Sequence, residues 1–166
     1  MYQVYMAGAT SIALGLALAL PHRRVISLDS DGSLLMGLSV LPVVAQQNPP
    51  NLVIIVCDNE CYEPFDKLPT QTADVANLAG IAREAGIRNA IEVRELPEFQ
   101  KAIDDAFKAN GASFIVTKVT KSHQSGPRPH GLPYNGTENK FQFIRHIETT
   151  ENRQIVRSPL VGTVSK

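Results

Sequence analysis

The sequence has no excess of either charge: 16 lysines and arginines balance 16 aspartates and glutamates across 166 residues, with no run of either sign. That balance excludes the basic footprint that follows a phosphate backbone and the patch that seeks a membrane surface, so nucleic acid is not an expected partner. Cysteine is nearly absent. Cys57 and Cys61 are the two present; they are too few for a disulfide framework, and no second ligand pair at a fitting spacing joins them to make a zinc site. Because Cys57 ends an apolar run, a buried thiol is expected there. Long hydrophobic runs are missing too. Ile12 to Leu20 is well short of a bilayer span and has no basic segment before it, so it reads as a buried helix rather than a signal core. Lacking a secretory signal and a disulfide framework, the chain is expected in the cytoplasm. Aromatic residues are scarce at 6%, yet 43% of residues are hydrophobic, which at this length supports one good core and one globular domain.

What is present alternates between strand-like and helix-like runs. Ala7 to Leu20 suits a close-packed helix that Pro21 stops, and Val25 to Leu28 suits a strand. Asp29-Ser30-Asp31-Gly32 then turns the chain into a helix from Ser33 to Gln47, which Pro42 must kink or divide. Leu52 to Cys57 is apolar on both faces, as a buried parallel strand is. Glu60 to Thr72 reads as a loop. Helical spacing runs from Ala73 to Ala85, a strand from Ala90 to Val93, a helix from Pro97 past Phe107, and a strand from Ser113 to Val119. With right-handed crossovers this order predicts an α/β fold: a parallel sheet covered by helices on both faces, binding ligands beyond the carboxyl ends of its strands. Residues 1–120 form the expected binding domain. Residues 121–166 form a Ser-, Gly- and Pro-rich arm with a late helix at Glu138 to Glu148, packing on the core or on a partner.

Asp31 follows one strand and Asn59 the next, so their oxygens fall at the same sheet edge. A magnesium ion wants oxygen donors and shares them readily with phosphates, and the amides of Gly32, Ser33 and Leu34 begin a helix whose dipole favours an anion. Taken as an isolated pair, the two residues are more often a helix cap and a turn former.

The spacing tips that balance. Ser30-Asp31-Gly32, 25 residues, then Asp58-Asn59 resembles the Gly-Asp-Gly to Asn signature of thiamine diphosphate enzymes. Upstream, Met6-Ala7-Gly8-Ala9-Thr10-Ser11-Ile12 resembles the segment of those enzymes whose large apolar residue bends the cofactor. The nearest resemblance is to the beta subunits of sulfopyruvate decarboxylase and the matching half of phosphonopyruvate decarboxylases, through Ser-Asp-Gly-Ser-Leu-Leu-Met, Asp-Asn-Glu, Pro69-Thr70 and Glu138-Asn139-Lys140. It implies a diphosphate-binding domain with Mg2+ held by Asp31, Asn59 and the backbone carbonyl of Cys61. Ser33 and Tyr62 would contact the diphosphate, Met6 would bend the cofactor, and the carbonyl of Val4 would receive its amino group. The resemblance also implies a pyrimidine-binding alpha subunit that supplies the activating glutamate, giving a heteromer that decarboxylates a 2-oxo acid. Two departures stand out. Ser30 replaces a glycine, and Glu63-Pro64-Phe65-Asp66-Lys67-Leu68 replaces a Gly-Ser-Thr-Gly-Gly-Gln-like stretch near the cofactor mouth. The altered loop leaves room for a carbon–carbon lyase or carboligase on a bulkier 2-hydroxyacyl or aromatic substrate, and a non-catalytic assembly subunit is the reading from outside enzymology. His123 and His130, in the arm, are the weaker candidates for proton transfer.

Overall fold

The computed structural model describes residues 5–63, 66–120 and 135–156. The chain divides into two compact units, one spanning Tyr5–Ser125 and the other holding the late helix. In the first unit, α1 (Ala9–Ala19) leads to β1 (Val25–Ser30), α2 (Asp31–Leu35), α3 (Val40–Gln47) and β2 (Leu52–Asp58). A short hairpin, β3 (Cys61–Tyr62) and β4 (Leu68–Pro69), precedes a 3-10 turn at Gln71–Ala73. Then come α4 (Leu78–Glu84), β5 (Asn89–Val93), α5 (Leu96–Ala106) and β6 (Ser113–Lys118). The second unit contains α6 (Gly136–Glu151), whose N-cap Asn135 accepts from the amides of Thr137 and Glu138.

Four strands form one sheet in the order β1-β2-β6-β5, and each adjacent pair is parallel. Leu52, Ile54 and Val56 of β2, with Phe114 and Val116 of β6, face a core built from α1, α2, α3 and α4. Val53, Ile55 and Ile115 face the other way, against Ala102 and Ala106 of α5. The expected parallel sheet with helices on both faces is what forms, because an apolar strand buried on both sides needs a cover on both. The second cover is partial: on that face Ile26 and Leu28 of β1 remain exposed. Asn51 joins elements of the first face, its Nδ2 lying within 2.8–3.1 Å of the carbonyls of Ala17, Leu20 and Arg23.

Several elements differ from the sequence expectation, each for a local reason. Helix α1 is half-buried rather than buried. Thr10, Ala13, Leu14 and Ala17 face inward while Ile12 and Leu18 are exposed. The helix expected from Ser33 to Gln47 is two helices, and the break lies before Pro42 at residues 36–39. Proline clashes with the carbonyl four residues back, so Pro42 can sit only in a first turn, and α3 begins two residues before it. The loop from Glu60 to Thr72 contains the β3–β4 hairpin, with Cys61 opposite Pro69 and Tyr62 opposite Leu68. The helix expected from Ala73 starts later because Asn77 caps it, accepting from Gly80 N at 2.7 Å. Cys57 is exposed and Cys61 is the buried thiol, the reverse of what the apolar run suggested for Cys57. The Cys57 side chain lies on the sheet face that α5 leaves open at this end.

Candidate functional site

Strand β1 runs to Ser30, so Asp31 is the first residue of α2 rather than part of a preceding turn. Ser30 has an extended backbone, φ −114° and ψ 161°, and its side chain accepts from Ser33 N to cap the helix. Positive φ is not required, so serine fits where relatives of this pattern carry glycine.

Three carboxylates gather at this edge, and their partners differ. Asp29 Oδ2 accepts from Thr10 Oγ1 at 3.2 Å and Oδ1 from Ser30 N at 3.0 Å, which ties β1 to α1. Asp58 is 1% exposed; its Oδ1 accepts from Thr72 Oγ1 at 2.7 Å and from Glu60 N at 3.1 Å, and its Oδ2 pairs with Lys118 Nζ at 2.9 Å. Lys118 also reaches Glu60 Oε1 at 3.1 Å. Burial works against the Lys118 charge, but the hydrogen bonds and proximity of Asp58 and Glu60 outweigh it and push the ammonium above its ordinary value. Asp31 is fully buried, at 0% exposure. Its Oδ2 lies 2.6 Å from Thr70 Oγ1 and 3.2 Å from Thr72 Oγ1, yet its Oδ1 has no hydrogen-bond partner. No ion pair among the described residues neutralises it. A buried carboxylate left this way is costly unless a cation completes it.

Asn59 sits just past the end of β2. Its Oδ1 accepts from Cys61 N at 3.2 Å and its Nδ2 donates to Glu63 Oε1 at 3.2 Å, which turns the amide oxygen toward the start of β3. Tyr62 lies over Gly32: a Cβ at Gly32 would stand 2.5 Å from the Tyr62 ring carbons Cδ1 and Cε1. Only glycine allows that approach. Ser33 Oγ accepts from Ala7 N at 3.0 Å, and a Cβ at Gly37 would stand 2.9 Å from Ala7 O. Ala7 itself has φ +65°. These contacts dock the chain immediately after Met6 onto α2 and the turn that follows it, and Met6 is partly exposed there. Leu34 turns its side chain into the core, leaving only its amide as a candidate contact. Cys57, beside Ser30 in the β1–β2 register, has its thiol pushed up by desolvation and then by the Asp31 charge, so it stays protonated near neutrality.

The structure thus brings together Asp31, Gly32, Ser33, Tyr62 and the segment after Met6, from separate stretches of sequence, and places Asn59 at the next strand end, bonded to Cys61 and Glu63. Val4, His123 and His130 lie outside the described residues. Thr72 and Lys118 escaped the sequence reading. The signal for Lys118 is a charge closing an apolar strand directly opposite Asp58 in the parallel register; Thr72 carries no such mark, because its approach to two carboxylates depends on the hairpin. The residues fit a magnesium ion and an anionic group: an orphaned buried carboxylate oxygen, an amide oxygen at the next strand end, and a helix start kept free of side-chain bulk at Gly32. No described helix is long and apolar enough to cross a membrane.

A parallel sheet with these residues gathered at its carboxyl edge has the form of an α/β domain that binds a ligand beyond its strand ends. Residues 2–117 match the family described as thiamine pyrophosphate enzyme, C-terminal TPP binding domain, and the chain belongs to that family. Sulfopyruvate decarboxylase subunit beta of Methanocaldococcus jannaschii is 36% identical over 119 residues, which cover 69% of this chain and 62% of that protein. The subunit of the same description from Methanothermobacter thermautotrophicus is 43% identical over 60% of this chain and 54% of its own length. The chain therefore spans somewhat over half the length of these relatives. Phosphonopyruvate decarboxylase of Streptomyces viridochromogenes is 32% identical over 77% of this chain and 32% of its own. Among solved structures, the 4-hydroxybenzoylformate decarboxylase of Rhodococcus jostii, described as thiamine diphosphate-dependent, superposes with a TM-score of 0.58 at 25% identity. That match covers 72% of this chain and 24% of that one.

Proposed function

We propose that this chain is the diphosphate-binding half of a thiamine diphosphate-dependent lyase that decarboxylates a 2-oxo acid, working with a complementary alpha subunit. The single observation that carries the reading is the buried Asp31 carboxylate with its unpartnered Oδ1, which asks for a divalent cation at the carboxyl edge of the sheet. Asp31 and Asn59 are the side-chain ligands of Mg2+, and the carbonyl of Cys61 is the third protein ligand. Ser33, Tyr62 and the amides of Gly32 and Leu34 face the diphosphate, while Met6 and the carbonyl of Val4 orient the ring end. When bound, the cofactor supplies the electron sink for breaking the bond to the carboxylate. The chain's own work is to fix the cation, aim the diphosphate and hold the bend, which is positioning rather than proton transfer. The activating glutamate belongs to the alpha subunit.

The relatives named as decarboxylases of sulfopyruvate and phosphonopyruvate support a 2-oxo acid with a second acidic group. The test is reconstitution: the purified chain alone releases no carbon dioxide, and with its complementary chain, Mg2+ and thiamine diphosphate it decarboxylates at least one of pyruvate, sulfopyruvate, phosphonopyruvate or an aromatic 2-oxo acid. Cofactor binding without turnover of any of them would favour a carboligase, or an assembly subunit, over a decarboxylase.

A further inference from the structure

The two oxygens of Asp31 have unequal surroundings, and the inequality has a source. Thr70 follows β4 with an extended backbone, φ −82° and ψ 169°, and its amide donates to Glu60 O at 3.2 Å. The hairpin thereby carries the Thr70 hydroxyl into the interior, 3% exposed, within 2.6 Å of Asp31 Oδ2. Thr72, 7% exposed, lies near both Asp31 Oδ2 and Asp58 Oδ1, at 3.2 and 2.7 Å, and 2.9 Å from Thr70 Oγ1. Each hydroxyl has one proton to give. The shorter contact of Thr72 is to Asp58, which is also paired with Lys118, so that proton belongs to Asp58. The Thr70 proton belongs to Asp31 Oδ2, its shortest contact, as a charge-assisted bond.

We propose that Thr70 is a positioning residue that occupies Oδ2 of Asp31, reserves Oδ1 for a one-oxygen bond to the cation, and so sets a preference for Mg2+ over Ca2+. This rests on the reading of Asp31 as a metal ligand. The selectivity comes from the two ions' habits. Mg2+ wants near-octahedral geometry with short bonds to single oxygens, whereas Ca2+ accepts six to eight longer bonds and readily takes a carboxylate through both oxygens where it can. A carboxylate whose second oxygen is held by a hydroxyl from a fixed hairpin cannot turn both lobes to the ion. Thr72 acts differently: it holds Asp58, and its removal leaves Asp31 oriented.

The experiment uses the full chain assembled with its complementary chain and titrates Mg2+ or Ca2+ calorimetrically at saturating thiamine diphosphate. Thr70→Val is expected to weaken Mg2+ about 10–100-fold, the usual range for an outer partner of a metal ligand, while Ca2+ binding changes far less. Thr70→Ser, which keeps the hydroxyl, stays close to the unaltered protein, and Thr72→Val keeps the Mg2+ to Ca2+ ratio. Asp31→Ala separates the positioning role from the ligand assignment. If Asp31→Ala abolishes metal-dependent binding while Thr70→Val keeps the original ratio, the positioning role is overturned and the ligand assignment stands; if Asp31→Ala binds normally, the ligand assignment itself falls. An equal loss for both ions in Thr70→Val also overturns the proposal, since it marks general damage. Should Thr70→Val fail to assemble, Thr70→Ala against Thr70→Ser gives the same comparison.

Discussion

Asp29, Asp31 and Asp58 lie within one sheet edge, and only Asp31 keeps a buried oxygen with nothing to accept from. Asp29 is consumed by a hydroxyl and an amide, and Asp58 by a hydroxyl, an amide and an ammonium. As an isolated pair, Asp31 and Asn59 did not separate a ligand from a cap; their spacing and its register with Met6 did. Here both roles appear side by side: Ser30 supplies the side-chain cap of α2, which leaves Asp31 for other work. Gly32 gives this scale its prediction. Alanine is about 1 kcal/mol better than glycine inside a helix by propensity, so a purely local view expects Gly32→Ala to stabilise. The Tyr62 ring, 2.5 Å from the would-be Cβ, reverses the sign, because overpacking costs about 1–3 kcal/mol. Urea unfolding should show Gly32→Ala destabilised, with the penalty largely gone in the Gly32→Ala, Tyr62→Ala background. A stabilised single variant would remove Tyr62 from the helix start.

The strand pattern was legible at the level of elements because β2, from Leu52 to Asp58, is apolar on both faces and nothing but a doubly covered parallel strand accommodates that. The hairpin was not legible. Its strands have two residues each, too few for any periodicity, and a proline such as Pro69 disfavours a strand. Thr70 and Thr72 reach Asp31 only because that hairpin folds back, so their part in the site was invisible with it. The helix break at 36–39 was legible in kind but not in place, since Pro42 announces a break without saying that it will occupy the first turn of the next helix. The β2–β6 pairing puts Asp58 opposite Lys118, and its stability should depend on pH in a definite direction. The folded ammonium titrates above its ordinary value. Its contribution is therefore complete below about pH 10.4, the unfolded value, and is lost as pH rises through the folded one. Lys118→Met should cost about 2–3 kcal/mol near neutrality, since Asp58 keeps its other partners but loses its counter-charge. The gap to the unaltered protein should close in alkaline unfolding experiments; a gap that persists there would mean that packing, not charge, is what Lys118 contributes.

For the whole molecule, the candidate site lies where strands β1 and β2 end, and the family match over residues 2–117 takes in all of its described residues but Lys118. The chain covers 62% and 54% of the length of two sulfopyruvate decarboxylase beta subunits, and an activating glutamate is assigned to a second chain, so assembly is part of the proposed activity rather than an addition to it. The exposed Ile26 and Leu28 on β1 show that one sheet face is only half covered within the Tyr5–Ser125 unit. The central claim is the proposed role of the buried Asp31 carboxylate as a cation ligand. Its most direct test is magnesium-dependent binding of thiamine diphosphate to the assembled protein, comparing the unaltered chain with Asp31→Ala and Asn59→Ala. Binding should track magnesium in the unaltered protein and lose that dependence in both variants; tight, magnesium-dependent binding that survives both substitutions would contradict the assignment of Asp31 and Asn59 to the cation.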